Sequence, residues 1–267
     1  MSDSRLVLAR LRRSLERLEP RRAPARAGLF ALGHRGVDRA LGGGLARGRL
    51  HEVFAGLEEA GSAAGFAALL GLQAGAGKPL LWLRDEGAQG GAGRLHATGL
   101  GELGLDPAAL LLGLAPDEPA LLRAAAEAAR CAGLGALLVE CRGVLRGLDL
   151  TASRRLMLAA EASGVTVLVL RLMAEPRFAP SAAYTRWRVA AAPSAALEAQ
   201  APGAPMFELE LLRRRAGPSA GPWRVEWNRD RSCFQEPDES RTESPLSRPV
   251  PAVAAGRAAG APLRRSA

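Results

Sequence analysis

The chain has 267 residues, 36 of them basic and 27 acidic, for a formal net charge of +9; 48% are apolar and only 4% aromatic. That is enough apolar mass to bury a sizeable core, built mainly from Ala, Leu and Val. No run of about 18 apolar residues exists, which excludes a transmembrane helix.

Residues 1–26 hold eight arginines against three acids. Leu8, Leu11, Leu15 and Leu18 recur at 3-4-3 spacing, which predicts a helix with one leucine face and an arginine-rich remainder. Ser2 or Ser4 can cap it, and Pro20 ends it. So short a helix is unstable alone, so it must dock on its own domain or on a partner. The segment lacks the continuous apolar stretch of a secretory signal. Its charge suits nucleic acid, an acidic partner or a solvated helix face. Arg21–Arg26 reads as a linker.

From Gly33 onward strands and helices alternate. Strands are predicted at 49–55, 79–84, 110–114, 134–140 and 165–170, and helices at 62–74, 118–131 and 151–163. Thr151 is the expected cap of the third helix and Gly164 its C-terminal stop. Pro119 lies in the first turn of the second helix. The run Val165–Leu170, VTVLVL, has the pattern of a central parallel strand. After Ala182 only strands are predicted, at 184–190, 206–213 and 223–227. The class is α/β: a three-layer core on a mostly parallel sheet, extended in antiparallel fashion on its C-terminal side. Three domains are expected: the helix and linker 1–26, the α/β unit 27–235, and a disordered tail 236–267 of Pro, Ser, Ala and charged residues. Charge is uneven across them. Residues 27–235 carry 23 basic and 20 acidic side chains, so the arm holds more than half of the excess.

The strand ending at Ala55 is followed by Gly56-Leu-Glu-Glu-Ala-Gly61, then Ser62 and Ala63 and a helix. This is a phosphate-loop frame in the right context, but a working loop continues with Lys and Ser/Thr. The lysine reaches the β- and γ-phosphates, and the hydroxyl holds magnesium. Ser62 and Ala63 supply neither, and Glu58 and Glu59 repel a triphosphate. Only one lysine exists in the chain. It is Lys78, after Gly75-Ala76-Gly77, and it follows a helix and precedes Pro79, so it reads as a helix–strand turn. Glu140 ends one apolar strand as a metal-binding acid does, and Glu86 follows another as a water-activating acid does. Without the lysine and the hydroxyl both read as relic acids. No cofactor and no metal site are expected. Cys131, Cys141 and Cys233 are too scattered among His34, His51 and His96 for a zinc site or a disulfide scaffold, so a reduced, cytoplasmic compartment is expected.

Arg154 and Arg155 open a helix and are candidates for DNA or partner contact. Alternation puts Arg186 and Arg188 on one strand face, toward solvent, and Trp187 on the other, in the core. Arg213–Arg215 reads as surface charge, and His51 as a structural histidine. Cys131 and Cys141 read as small buried residues.

The glycine stretch Leu41–Gly56 resembles the start of the ATPase core of RecA-type recombinases. The block Leu148–Val165, LDLTASRRLMLAAEASGV, with Thr185–Val189, Pro193-Ser194 and Glu208–Arg213, resembles the ImuA family over about residues 28–235. That resemblance implies a RecA-like fold and an accessory role in SOS-induced translesion synthesis. It implies as partners ImuB, an inactive Y-family polymerase relative, and an error-prone DnaE-type polymerase, with RecA or a second copy as further contacts. The absent loop residues agree with a non-enzymatic role and indirect contact with DNA. Two alternatives stay open: a divergent DNA-binding ATPase and an SOS-linked cell-division inhibitor.

Overall fold

A computed structural model describes residues 28–85, 95–174, 176, 180–194, 201, 203–215 and 217–237. The predicted leucine-striped helix 1–26 and the tail from 238 lie outside the described residues, as does Glu86. The elements are β1 Leu29–Phe30, α1 Arg35–Leu41, β2 Leu45–Ala46, β3 Leu50–Ala55, α2 Ala60–Gly75, β4 Leu80–Asp85, α3 Ala97–Glu102, β5 Leu110–Ala115, α4 Glu118–Ala128, β6 Ala136–Arg142, α5 Leu150–Ser163, β7 Thr166–Leu172, β8 Thr185–Ala191, β9 Met206–Arg214, β10 Ala220–Asn228 and β11 Cys233–Gln235.

Among the described residues, nine strands form one sheet in the order β11-β10-β9-β8-β3-β7-β6-β4-β5. The run from β8 to β5 is parallel. β9, β10 and β11 are added antiparallel beyond β8, so the expected mixed sheet is present. β3 and β7 sit in the middle and are buried along their whole length, because helices cover both faces. On one face lies α2, whose Ala63, Phe66, Ala67, Leu70 and Ala74 pack on Val53, Leu138, Leu168 and Leu170. Small residues let this helix come close: a Cβ on Gly71 would lie 3.1 Å from the Leu80 side chain. On the other face α4 and α5 pack on Leu137, Val139, Val167 and Val169.

The few aromatics are not spread evenly. Phe66, Phe207, Phe234 and Trp227 stack ring to ring on the α2 side, and Trp82 and Trp187 are buried there too. A core expected to be mainly aliphatic is thus aromatic where the antiparallel strands curl over α2.

Two local expectations change. α5 is capped by Asp149, whose Oδ1 accepts from Ala152 N–H at 2.7 Å, and Thr151 is exposed inside the first turn. A carboxylate one residue before the helix satisfies an orphan N–H and favours the positive end of the dipole. Gly164 does end the helix, at φ +81°. Five short elements were not anticipated: β1, α1, β2, α3 and β11.

Candidate functional site

The glycine loop leaves β3 at the carboxyl end of the sheet and enters α2. Its turn is tight: Ala60 N–H donates to Leu57 O at 3.1 Å, so α2 begins at Ala60, two residues before the predicted start. Glu58 folds back over the loop. A Cβ placed on Gly56 would lie 2.2 Å from Glu58 Oε1, so this carboxylate can rest there only because Gly56 has no side chain. Glu59 Oε2 accepts from Ala191 N–H at 2.7 Å and ties the loop to the end of β8. Ala63 is fully buried in the α2 core, and Ser62 is half-buried. Gly61 has open space around its Cα.

Beside the loop lies a cavity of about 450 Å³, lined by Phe54, Gly56, Glu58, Glu59, Met173, Arg188 and Val189 among others. Its charge is acidic on the loop side and cationic at Arg188. Arg188 is exposed, and its Nη1 meets Glu210 Oε2 at 2.7 Å.

Glu140 does not face this cavity. It is fully buried in β6, where Oε1 accepts from Arg84 Nη2 at 2.8 Å and Oε2 from Trp82 Nε1 at 2.9 Å. Arg84 is its register partner on β4. An ionised pair is tolerated in such an apolar layer only when both charges are matched.

A second buried cluster lies on the opposite face of the sheet. Glu52 of β3 meets Arg186 Nε at 2.8 Å and Arg171 Nη1 at 3.3 Å. Both guanidinium groups stand 5.6 Å from the Phe54 ring centroid. The predicted solvent-facing position of Arg186 is therefore corrected: it is buried, because Glu52 stands opposite it in the β3–β8 register. Burial pulls its pKa below the ordinary arginine value, and the adjacent Glu52 carboxylate opposes that shift. Trp187 is in the core, as expected.

The remaining candidates separate. Arg154 and Arg155 are exposed on α5. Lys78 lies in the α2–β4 turn and donates to Ala132 O at 3.0 Å. Arg213 and Arg214 hold the carbonyls of Ser181, Ala183 and Ala40, so this cluster ties loops together as well as carrying charge. His51 is fully buried between Thr185 Oγ1 at 2.7 Å and Ala46 O at 2.9 Å, and burial lowers its pKa to about 4. Cys141 is buried, but Cys131 is exposed, contrary to expectation. Among the described residues no group of three or more His, Cys, Asp or Glu stands together to hold a metal, and no helix is long and apolar enough to cross a membrane.

Sequence reasoning missed Glu52, Arg84 and Arg171. Part of the signal was present: Glu52 and Arg171 are lone charges inside otherwise apolar strands, Arg84 is followed by Asp85 at a strand end, and each has an opposite charge at a facing or diagonal position once the strands are aligned.

A parallel sheet with helices on both faces, an antiparallel extension and a glycine loop between β3 and the covering helix α2 define the RecA-like class. The structure of the RadB recombinase matches it with a TM-score of 0.53 at 16% identity, covering 79% of this chain and all of that one. In sequence, Protein ImuA from Caulobacter vibrioides strain NA1000 / CB15N is 37% identical over 194 residues, spanning 67% of this chain and 75% of the relative. Protein ImuA from strain ATCC 19089 / CIP 103742 / CB 15 of the same species matches equally. No family model matches. The chain belongs to the ImuA family.

Proposed function

We propose that this protein is a non-catalytic, cytoplasmic RecA-like accessory factor of damage-induced, error-prone translesion DNA synthesis. It serves as an adaptor to an ImuB-type inactive Y-family polymerase homologue and an error-prone DnaE-type polymerase, with RecA or a second copy as further contacts. The observation that carries the non-catalytic part is the state of the glycine loop. The Glu58 carboxylate folds onto Gly56 inside the loop, Ser62 and Ala63 stand at the lysine and hydroxyl positions, and Glu140 is paired with Arg84. These residues do not fit a magnesium nucleoside triphosphate. The loop is a degenerate one, kept as a turn between β3 and α2.

Two measurements test the reading. Co-expression of the full chain with the ImuB-type subunit should yield a stable complex. Calorimetric titration of the full chain with Mg·ATP should show no micromolar binding. Tight nucleotide binding with turnover would establish the divergent ATPase instead. Loss of the complex, together with filamentation that does not depend on the mutagenic polymerase, would establish a cell-division inhibitor.

A further inference from the structure

The sheet ends at β5, and three exposed leucines stand on this edge strand. Among the described residues β5 pairs only with β4, so its outer backbone groups have no ladder partner. Leu112 and Leu114 are 50% and 48% exposed, and Leu111 is 50% exposed. Alternation places Leu112 and Leu114 on the face of Leu110, which packs with the α2-side core, while Leu111 points to the α4 side. Leucines flanking an open edge are a liability that folded proteins cover. Asp106 precedes the strand and Asp117 and Glu118 follow it, and their carboxylates accept the backbone N–H groups of Ala108, Ala120 and Gly147.

The chain carries a segment of complementary chemistry. Leu8, Leu11, Leu15 and Leu18 recur at helical spacing among arginines, and residues 1–26 hold eight arginines against three acids. The place where this arm joins the fold is also suitable. Gly28 O accepts from Arg47 N–H at 3.0 Å, and the Arg47 guanidinium reaches Ala74 O at the C-terminal end of α2. The next turn leads directly into β4, where Leu80 pairs with Leu110. The arm thus leaves on the α2 side of the sheet, at the end where β4 and β5 begin. Residues 19–27 span up to about 30 Å when extended, and β3, which follows Arg47, is four strands from β5, about 19 Å at a spacing of about 4.8 Å.

We infer that the N-terminal arm of this chain covers its own β5 edge, laying the Leu8–Leu18 stripe on Leu112 and Leu114. A tether this short gives the intramolecular contact a millimolar effective concentration, which favours the arm of the same chain over that of a second copy.

The test uses the full chain and two full-length variants. L112E/L114E alters only half-exposed side chains, and L8E/L11E lies outside the α/β unit, so both keep the fold. In the native chain, trypsin should cut slowly at Arg10, Arg12, Arg13 and Arg17, and the outward-facing amides of Leu110–Ala115 should exchange slowly with deuterium. Either variant should speed both processes about tenfold, with light scattering giving a monomer throughout. Equal cleavage and exchange in all three chains would overturn the inference. Protection that appears only with protein concentration and a dimeric mass would also overturn it, in favour of a second copy on the edge.

Discussion

Burial sets the chemistry of single residues here. Cys141 lies under the sheet with its Sγ 3.1 Å from Leu170 O, and burial pushes its thiol up to about 12. Cys131 is exposed at the end of the turn after α4. A maleimide at pH 7.5 should therefore modify Cys131 within minutes and leave Cys141 unmodified until the chain is denatured, as peptide mass mapping would show; rapid native labelling of Cys141 would contradict this burial. His51 gives a pH signature. Desolvation is the main cause of its low pKa, the Ala46 carbonyl opposes the shift, and Arg49 reinforces it. The unfolded chain takes up a proton near pH 6.5, whereas the folded chain does so only near pH 4. Stability from this group is complete above pH 6.5 and falls as pH drops from 6.5 to 4, by about 3 kcal/mol in all. Urea midpoints measured from pH 7 to 4 should fall less steeply in His51→Gln than in the native chain. Equal slopes would show that His51 titrates normally. The loop substitutions at Ser62 and Ala63 were legible from sequence because a motif has fixed spacing. That Glu58 folds onto Gly56, or that Glu140 points away from the cavity, was not, because both depend on side-chain direction.

At the scale of elements, the Arg84–Glu140 pair joins β4 to β6 and the Glu52 cluster joins β3 to β7 and β8. Removing one charge strands the other in a dry layer. Arg84→Met should cost about 3–5 kcal/mol of unfolding free energy. The double replacement Arg84→Met/Glu140→Gln should recover most of that, since no bare charge remains and Gln still accepts from Trp82. Denaturant unfolding of the two variants checks this; equal losses would mean that Glu140 holds its place by packing alone. The longer strands and helices could be read because a buried parallel strand is a continuous apolar run and α4 and α5 have a clear polar face. Their boundaries moved by one to three residues, as with α2 and β10. β1 and β2 were illegible: two residues carry no periodicity, and their pairing of Leu29 with Ala46 is a tertiary event. α1 was hidden for a related reason. Its cap is the His34 ring, whose Nδ1 accepts from Gly36 and Val37 N–H, and a histidine is not an ordinary cap signal. The solvent-facing expectation for Arg186 failed on alternation alone, because a charged residue can point inward when another strand brings its counter-ion.

For the whole molecule, the distribution of charge separates two ways of acting on DNA. A protein that grips the duplex directly through its folded core needs a basic face, yet residues 27–235 hold 23 basic against 20 acidic side chains. Several of those arginines are already committed: Arg84, Arg171 and Arg186 inside the sheet, Arg188 to Glu210, and Arg49 to Glu161 at 2.6 Å. Arg154 and Arg155 are exposed on α5. More than half of the excess positive charge lies in residues 1–26. Any electrostatic attraction to duplex DNA is therefore expected to act through the arm once it leaves the β5 edge, and its salt dependence would report how many arm arginines meet phosphate. Each phosphate contact contributes about 0.9 to the slope of log K against log salt. Replacing Arg5, Arg10, Arg12 and Arg13 with Gln should lower that slope by about three, whereas Arg154→Gln/Arg155→Gln should leave it within one of the native value. Fluorescence anisotropy on a duplex from 25 to 200 mM salt, at about the ranges where counterion release dominates, makes the comparison. The reverse result, a slope carried by Arg154 and Arg155, would place DNA on the α5 face of the core instead of the arm.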